Sequence, residues 1–108
     1  MEKKKSINLV ELEQLIEQGN SPLVIDVRSV EEYNQQHIPY AINLPIEKLE
    51  AKEKNLDILK TIITVCGKGG GRSERAADFI RNNYIAKVFF LEGGTIGWFE
   101  NENLNYIT

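Results

Sequence analysis

The only cysteine of the sequence, Cys66, begins a short segment whose residue types suit nucleophilic chemistry. The seven residues that follow it are Gly67, Lys68, Gly69, Gly70, Gly71, Arg72 and Ser73. Glycine loses more conformational freedom on folding than any other residue, and it is used where the backbone must adopt a positive φ or approach a ligand closely. Four glycines between the cysteine and the arginine therefore predict a loop that wraps around a bound group.

This segment lies between a predicted strand and a predicted helix, where main-chain N–H groups can converge. Residues 61–66 are an apolar, β-branched run typical of a buried strand, and an apolar stripe at helical spacing follows from Ala76. A glycine-rich turn that enters a helix directs its N–H groups toward one point and can bind an anion. A thiol at that point, with Lys68 and Arg72 nearby, should have a lowered pKa and react as the thiolate. We expect Cys66 to be the catalytic nucleophile and residues 67–73 to bind the substrate or its oxyanion.

Two other interpretations of the loop are weaker. A lone cysteine at the end of a strand is usually a small buried apolar residue, but that role requires neither the glycines nor Arg72. A nucleotide-binding P-loop ends in Gly-Lys-Ser or Gly-Lys-Thr and has no cysteine at its start, whereas Lys68 comes early in this loop. The sequence therefore favours nucleophilic catalysis.

Composition excludes several classes of protein. The 108 residues suit one domain over residues 1–108, in which we expect residues 1–5 to be a frayed N-terminus. A net charge of −3 disfavours binding to nucleic acid or to a membrane surface, since both require a basic face. One cysteine can form neither an internal disulfide nor a cysteine zinc site, and we expect no metal. No apolar run long enough for a signal peptide or a membrane span is visible, which predicts a cytoplasmic protein.

Apolar strands alternate with helical segments along the chain. The predicted strands are residues 23–27, a brief strand within 38–45, residues 61–66 and residues 87–91. The predicted helices begin at Leu9 with Asn8 as N-cap, at Ser29, at Ile46 with an extension to about Leu56, and after the glycine loop. Strands that alternate with helices imply right-handed crossovers and parallel pairing. We therefore predict an α/β fold with three layers, α/β/α, around a central, mainly parallel sheet.

Three separated motifs resemble the rhodanese-like domains, a family of single-domain sulfurtransferases. The first motif, residues 23–45, contains Asp-x-Arg, Glu-Tyr and His-Ile-Pro elements. The second, residues 66–73, is the cysteine loop. The third, residues 91–98, contains a Gly-Gly pair and a tryptophan. Each motif is weak alone, but together they cover nearly the whole chain in the order of the family. The resemblance implies the three-layer α/β/α rhodanese-like fold.

The resemblance also implies a function, that of a thiosulfate-type sulfurtransferase in which Cys66 carries a covalent persulfide and no cofactor is needed. The donor would be thiosulfate or another persulfide. The acceptor would be cyanide, an external thiol or a protein cysteine, because the chain has no second cysteine of its own. Asp26 and Arg28 resemble the pair that orders the neighbouring loops, with donor binding as their other possible role, and His37 resembles a structural histidine.

The sequence departs from the family in loop length and at two glycine positions. Five residues separate Cys66 from Arg72, where four are common. Cys-x5-Arg-Ser is also the spacing of cysteine phosphatases, and rhodanese-fold phosphatases and arsenate reductases share the longer loop, which suits a tetrahedral oxyanion. However, no carboxylate lies within the loop to protonate a leaving group, and Val65 stands where those enzymes tend to have histidine. We therefore expect sulfur transfer, and the alternatives are such an oxyanion enzyme or a non-catalytic sulfur-carrier or interaction domain.

Gln36 and Tyr40 replace glycines, which predicts altered turns beside His37.

Overall fold

The computed structural model describes residues 4–107, with side chains described up to residue 101. The strands in this part of the chain are β1 (Ser6–Ile7), β2 (Leu23–Asp26), β3 (Ile42–Asn43), β4 (Ile62–Val65) and β5 (Val88–Leu91). The helices are α1 (Leu9–Glu17), α2 (Val30–Gln35), α3 (Ile46–Glu50), α4 (Gly71–Asn83) and α5 (Gly94–Ile107). None of the helices in the described chain combines the length and apolarity that crossing a bilayer requires.

The five strands form one parallel sheet in the order β1-β5-β4-β2-β3. The chain leaves β2 toward β3 on one side and leaves β4 toward β5 on the other, so a crevice opens between the C-terminal ends of β2 and β4. Open α/β sheets bind ligands at such a point. Asp26 and Val65 are paired there, and Cys66 is the next residue along the chain.

Two apolar cores, one on each face of the sheet, hold the layers together. On one face, residues of α3 and α4 pack with Ile25 and Ile62. On the other face, residues of α1 and the half-buried Trp98 of α5 pack with Ile63 and Val65. Neighbouring strand residues point to opposite faces, and all four residues of β4 are buried, which explains why β4 has apolar residues on both faces. The predicted three-layer α/β/α fold with its parallel sheet is confirmed.

The ends of two helices illustrate what local sequence patterns can determine. The Asn8 side chain accepts a hydrogen bond from the Glu11 N–H at 2.9 Å, and the Glu11 carboxylate accepts from the Asn8 N–H at 3.0 Å. This reciprocal capping box starts α1 where the pattern predicts. Helix α3 ends at Glu50 and does not extend to residue 56, and the chain then turns through Lys52, whose φ is +56°.

The N-terminal segment is attached to the sheet more closely than the sequence suggests. We expect residues 1–5 to fray, and residues 1–3 lie outside the described part of the chain. The Lys5 carbonyl accepts a hydrogen bond from the Phe90 N–H at 3.1 Å, and the Lys4 ammonium pairs with Glu11. Strand β1 follows directly. Two residues are too short for a periodic signal, so the sequence does not predict this strand.

The turn beside His37 keeps a backbone conformation that favours glycine, although a tyrosine occupies it. Tyr40 has a φ of +62°, in the left-handed region that costs an ordinary residue about 1–2 kcal/mol. Its ring meets the Trp98 ring edge-on, with the centroids 6.0 Å apart. Aromatic pairs of this geometry contribute about 0.5–1.5 kcal/mol, so the contact offsets part of the strain.

Candidate functional site

Cys66 lies at the crevice between β2 and β4, at the start of the loop that leads into α4. Its position follows from the sheet, because β4 ends at Val65 and all the strands point their C-terminal ends toward this edge. The residue is only 5% exposed. Gly70 is the N-cap of α4, and its carbonyl accepts hydrogen bonds from the first turn of that helix. The loop therefore delivers the thiol to the N-terminal end of a 13-residue helix.

The sulfur of Cys66 lies between two oxygen atoms of α4 and its cap. Its Sγ is 3.2 Å from the Gly70 carbonyl oxygen and 3.2 Å from the Ser73 Oγ, so the thiol can donate its hydrogen to either. The Ser73 hydroxyl donates to the same Gly70 carbonyl at 2.9 Å. This geometry fits a protonated thiol. On ionisation the Ser73 hydroxyl can rotate and donate to the sulfur instead.

The surroundings of the sulfur lower the pKa of Cys66. Burial acts to raise this pKa, but hydrogen bonds that stabilise the thiolate outweigh it. Their donors are the Ser73 hydroxyl and the main-chain N–H groups of Ser73, Gly69 and Gly70. These N–H groups belong to the loop and the first turn of α4, so the positive end of the helix dipole acts in the same direction.

Two of the glycines are explained by packing of backbone on backbone. Gly69 has a φ of +80°, and a Cβ there would lie 2.4 Å from the Gly93 nitrogen and 2.7 Å from the Leu91 carbonyl oxygen. Gly94 has a φ of +56°, and a Cβ there would lie 2.4 Å from the Cys66 carbonyl oxygen. The conformation of Gly69 therefore also serves to seat the loop against the β5–α5 turn, in addition to the predicted role of its N–H at the sulfur.

The first turn of α5 holds the main chain at the cysteine. The Thr95 N–H donates to the Cys66 carbonyl at 2.9 Å, and the Ile96 N–H donates to the Gly67 carbonyl at 3.0 Å. Both carbonyls are thereby turned away from the sulfur side of the loop. We call the contacts of Cys66, Gly67 and Gly69 with residues 93–96 the glycine interlock.

Arg72 does not contact the sulfur, although the sequence suggests that it could. Its guanidinium forms a two-pronged ion pair with Glu32 of α2, with N–O distances of 2.7 and 3.1 Å. The hydrogen bonds from Arg72 lower the pKa of Glu32 to about 2, and the same bonds raise the pKa of Arg72. The Glu32 carboxylate also accepts from the Ser29 N–H at 3.2 Å and so caps α2. The pair spans the crevice, because α2 follows β2 and α4 follows β4.

Asp26 and Arg28 form a buried ion pair beside the crevice. The Arg28 guanidinium donates to the Asp26 carboxylate at 2.8 and 3.0 Å and to the Gln36 carbonyl at 2.6 Å. The Asn43 amide donates to the main-chain carbonyls of Asp26 and Arg28 at 3.0 and 3.1 Å. This network ties the end of β2 to β3 and to the end of α2. Neither Asp26 nor Arg28 is among the described hydrogen-bond partners of Cys66.

Two further residues with chemical potential lie apart from the sulfur. The His37 Nδ1 is 2.8 Å from the Tyr33 carbonyl oxygen, and its ring stacks on the Tyr33 ring at 3.8 Å between centroids. Lys68 is exposed on the loop. Neither side chain is a described hydrogen-bond partner of Cys66, so the contacts of the thiol come from α4 and the loop backbone.

Sequence reasoning missed two parts of the site. The sequence predicts a helix that begins at Ser29 with Glu32 in its first turn, but it does not indicate that Glu32 pairs with Arg72. The contacts of Thr95 and Ile96 have no comparable signal, because they are made by main-chain atoms that every residue possesses.

Replacement of Ser73 by alanine tests the hydrogen bond to the sulfur. We expect Ser73→Ala to raise the pKa of Cys66 and to slow its alkylation by iodoacetamide at neutral pH roughly tenfold, because a hydrogen bond to a charged group is lost. In both proteins the rate should fall as the pH drops through the pKa of the folded thiol, and the midpoint should be lower in the unsubstituted chain. Ser29→Ala, which removes a hydroxyl from the α2 cap, is the control. Equal midpoints for Ser73→Ala and Ser29→Ala would contradict this assignment.

Comparison with known proteins supplies independent information. The family model for the rhodanese-like domain matches residues 8–101. Among curated proteins, the putative sulfur carrier protein YrkF of Bacillus subtilis is 30% identical over 92 residues, which are 85% of this chain and 49% of that protein. A sulfurtransferase of Allochromatium vinosum is 26% identical over 87 residues, which are 81% of this chain and 80% of that protein. The chain therefore spans about half of YrkF, and it spans a quarter of the probable molybdopterin-synthase adenylyltransferase of Porphyra purpurea.

Solved structures agree with this match. The crystal structure of a rhodanese-related protein from Thermoplasma volcanium superposes with a TM-score of 0.78 at 32% identity, covering 90% of this chain and 92% of the other. The human single-domain sulfurtransferase TSTD1 has a TM-score of 0.78 at 23% identity, covering 91% of this chain and 97% of that one. At 23% identity, the similarity to TSTD1 shows only that the two chains share a fold.

Proposed function

This chain belongs to the rhodanese-like domain family, and from that membership we propose that it is a sulfurtransferase which carries sulfane sulfur on Cys66. The observation that carries the proposal is the surroundings of the sulfur. Main-chain N–H groups of Gly69, Gly70 and Ser73, with the Ser73 hydroxyl, favour a negative charge on this atom. A thiolate is the nucleophile that sulfur transfer requires, and a persulfide anion on the same residue would be stabilised by the same donors.

The proposed reaction has two steps. The Cys66 thiolate attacks the outer sulfur of thiosulfate, the sulfur–sulfur bond of the donor breaks, and sulfite leaves with the bonding electron pair. A persulfide donor reacts in the same way and releases its thiolate. In the second step a thiophilic acceptor such as cyanide attacks the outer sulfur of Cys66–S–S⁻, and the Cys66 thiolate leaves. Because no second cysteine is present in residues 1–108, the acceptor lies outside this sequence.

Two features of the site make oxyanion chemistry the weaker alternative. Arg72, the residue that would bind such a group, is occupied by Glu32. The longer loop does not require a wide cradle either, because Gly69 packs against the backbone of the β5–α5 turn.

Sulfur carriage without turnover uses the same persulfide, so the two functions differ in the second step. Curated relatives include a protein named as a sulfur carrier and proteins named as sulfurtransferases. We propose a cytoplasmic reaction in which a small thiol or a protein cysteine accepts the sulfur, since acceptor thiols stay reduced in that compartment.

The mass of the protein tests the first step. After incubation with thiosulfate, or with glutathione persulfide, we expect a gain of about 32 Da on the peptide that contains Cys66, and its loss on addition of a thiol. Thiocyanate formation upon addition of cyanide would then distinguish an enzyme from a carrier. A protein that gains no sulfur from either donor, while Cys66 remains free for alkylation, would contradict the proposal. Co-purified phosphate or arsenate would favour the oxyanion alternative instead.

A further inference from the structure

The edge of the sheet that carries Cys66 is rich in acidic side chains. Five helices of the described chain follow a strand at this edge, and the three that follow β2, β3 and β4 have glutamate in the first turn: Glu31 and Glu32 in α2, Glu47 in α3, and Glu74 in α4. Acidic residues at these positions stabilise the helices through their dipoles. The same charges lie at the edge of the sheet that carries the cysteine, so they contribute to the electrostatic potential that an approaching substrate meets.

Of the three cations on the glycine loop and the first two turns of α4, two are held in ion pairs. Arg72 is held by Glu32, and Arg75, one turn further along α4, is held by Glu50 at 2.6 and 2.9 Å. The third cation, Lys68, has no ion pair with the part of the chain described here and is exposed. A small dianion at the sulfur would therefore meet one cation of this group that has no described ion pair, Lys68, and not a free Arg72 guanidinium.

We propose that Glu32 is a specificity-determining residue, which withholds the Arg72 guanidinium from the sulfur and selects weakly charged donors over small dianions. The favoured donor class is the persulfide of a larger thiol, R–S–SH, whose reacting sulfur carries at most one charge. Thiosulfate, with two negative charges, is the disfavoured class. This inference rests on the proposed sulfurtransferase function and names the donor that the site accepts best.

The physical argument depends on the position of the pair. Arg72 directly precedes Ser73, whose hydroxyl contacts the sulfur. The Arg72 guanidinium reaches across the crevice to Glu32 of α2. With Glu32 in place the pair is almost neutral, and its two-pronged geometry holds the guanidinium on the Glu32 carboxylate. Without the carboxylate charge, Arg72 would present a full positive charge at the entrance and could turn toward an anionic donor.

Glu32→Gln removes the negative charge of Glu32 and keeps one oxygen that can accept hydrogen bonds. Glutamine can still accept a hydrogen bond from Ser29, since capping boxes use either residue, and its amide oxygen can still accept from Arg72. Glu50→Gln is the matched control, because it neutralises the carboxylate of the neighbouring ion pair, that of Arg75. Both variants lose one negative charge on the same edge of the protein, so a difference between them reports the position of the charge.

Two measurements are compared at low and at high salt. The first is the rate of Cys66 alkylation by anionic iodoacetate divided by its rate with neutral iodoacetamide, a ratio in which the thiolate fraction cancels. The second is kcat/KM for thiosulfate divided by kcat/KM for the persulfide of 2-mercaptoethanol, which carries no charge apart from that of its persulfide group. At low salt we expect Glu32→Gln to raise the first ratio about twofold and the second about fivefold. Both increases should shrink in 1 M salt, where the Debye length is only about 3 Å.

The control decides between the outcomes. The proposal predicts that Glu50→Gln changes both ratios clearly less than Glu32→Gln does. Unchanged ratios in Glu32→Gln, or equal changes in the two variants, would overturn the role of Glu32. A shift in the alkylation ratio together with no sulfur uptake from either donor would support the charge effect of Glu32 but overturn the sulfurtransferase function, so the two failures are distinguishable.

Discussion

Cys66→Ser is expected to abolish sulfur transfer, with a loss of about a thousandfold or more in the rate of thiocyanate formation from thiosulfate and cyanide. The hydroxyl of serine ionises far less readily than a thiol and cannot form a persulfide. In Cys66→Ser, the hydrogen bonds that lower the pKa of Cys66 would act on a serine oxygen that stays protonated. The measurement is the initial rate of thiocyanate formation under identical conditions for both proteins.

Two controls keep this result interpretable. The thermal unfolding of Cys66→Ser should match that of the unsubstituted chain within a few degrees, since the serine oxygen can still reach the Gly70 carbonyl. The double variant Cys66→Ser/Ser21→Cys moves the thiol to an exposed position before β2 and should remain inactive. Thiocyanate formation by either variant at the normal rate would show that the loop is not the reaction site.

Gly94→Ala is expected to destabilise the fold by about 4 kcal/mol and to raise the pKa of the thiol that remains. The added Cβ would lie 2.4 Å from the Cys66 carbonyl oxygen, 2.8 Å from the Gly67 carbonyl oxygen and 2.8 Å from the Gly69 nitrogen. All three atoms are backbone atoms and cannot rotate away. The left-handed φ of +56° adds about 1–2 kcal/mol for any residue with a Cβ. Denaturant unfolding and the pH profile of alkylation measure the two effects.

Gly97→Ala and Gly71→Ala are the matched controls, because a Cβ at either position has no atom within 4 Å outside its neighbours and its own helix backbone. Both residues are helical, so alanine there should leave stability unchanged or raise it by about 0.5–1 kcal/mol. If Gly94→Ala unfolded at the same denaturant concentration as Gly97→Ala, the described packing of the β5–α5 turn on the loop would be contradicted.

The elements whose signals are local could be predicted from the sequence. The capping box at Asn8 and Glu11 lies within four residues, and β4 is a continuous run of β-branched residues. Strand β1 could not be predicted, since its two residues become a strand only by pairing with β5 at the other end of the chain. Local periodicity carries no information about such a partner.

Some parts of the candidate site could be predicted from the sequence and others could not. Cys66 and its loop are recognisable because residue types and spacing are concentrated in eight consecutive positions, although their role in binding stays a prediction. The partner of Arg72 was not predictable, since a long side chain can reach several elements and Glu32 lies 40 residues away. The sequence also does not distinguish Gly69, which packs against backbone, from Gly70, where a Cβ would meet open space.

The glycine interlock joins the reactive segment to the last helix of the domain. Two hydrogen bonds and two backbone contacts connect them, and no side chain mediates these contacts. Local unfolding at the start of α5 would break the hydrogen bonds that hold the main chain of Cys66 and Gly67 in position. We therefore expect the helix and the loop to unfold as one cooperative unit. Reactivity at Cys66 thus depends on residues almost thirty positions further along the chain, which never touch the reacting atoms.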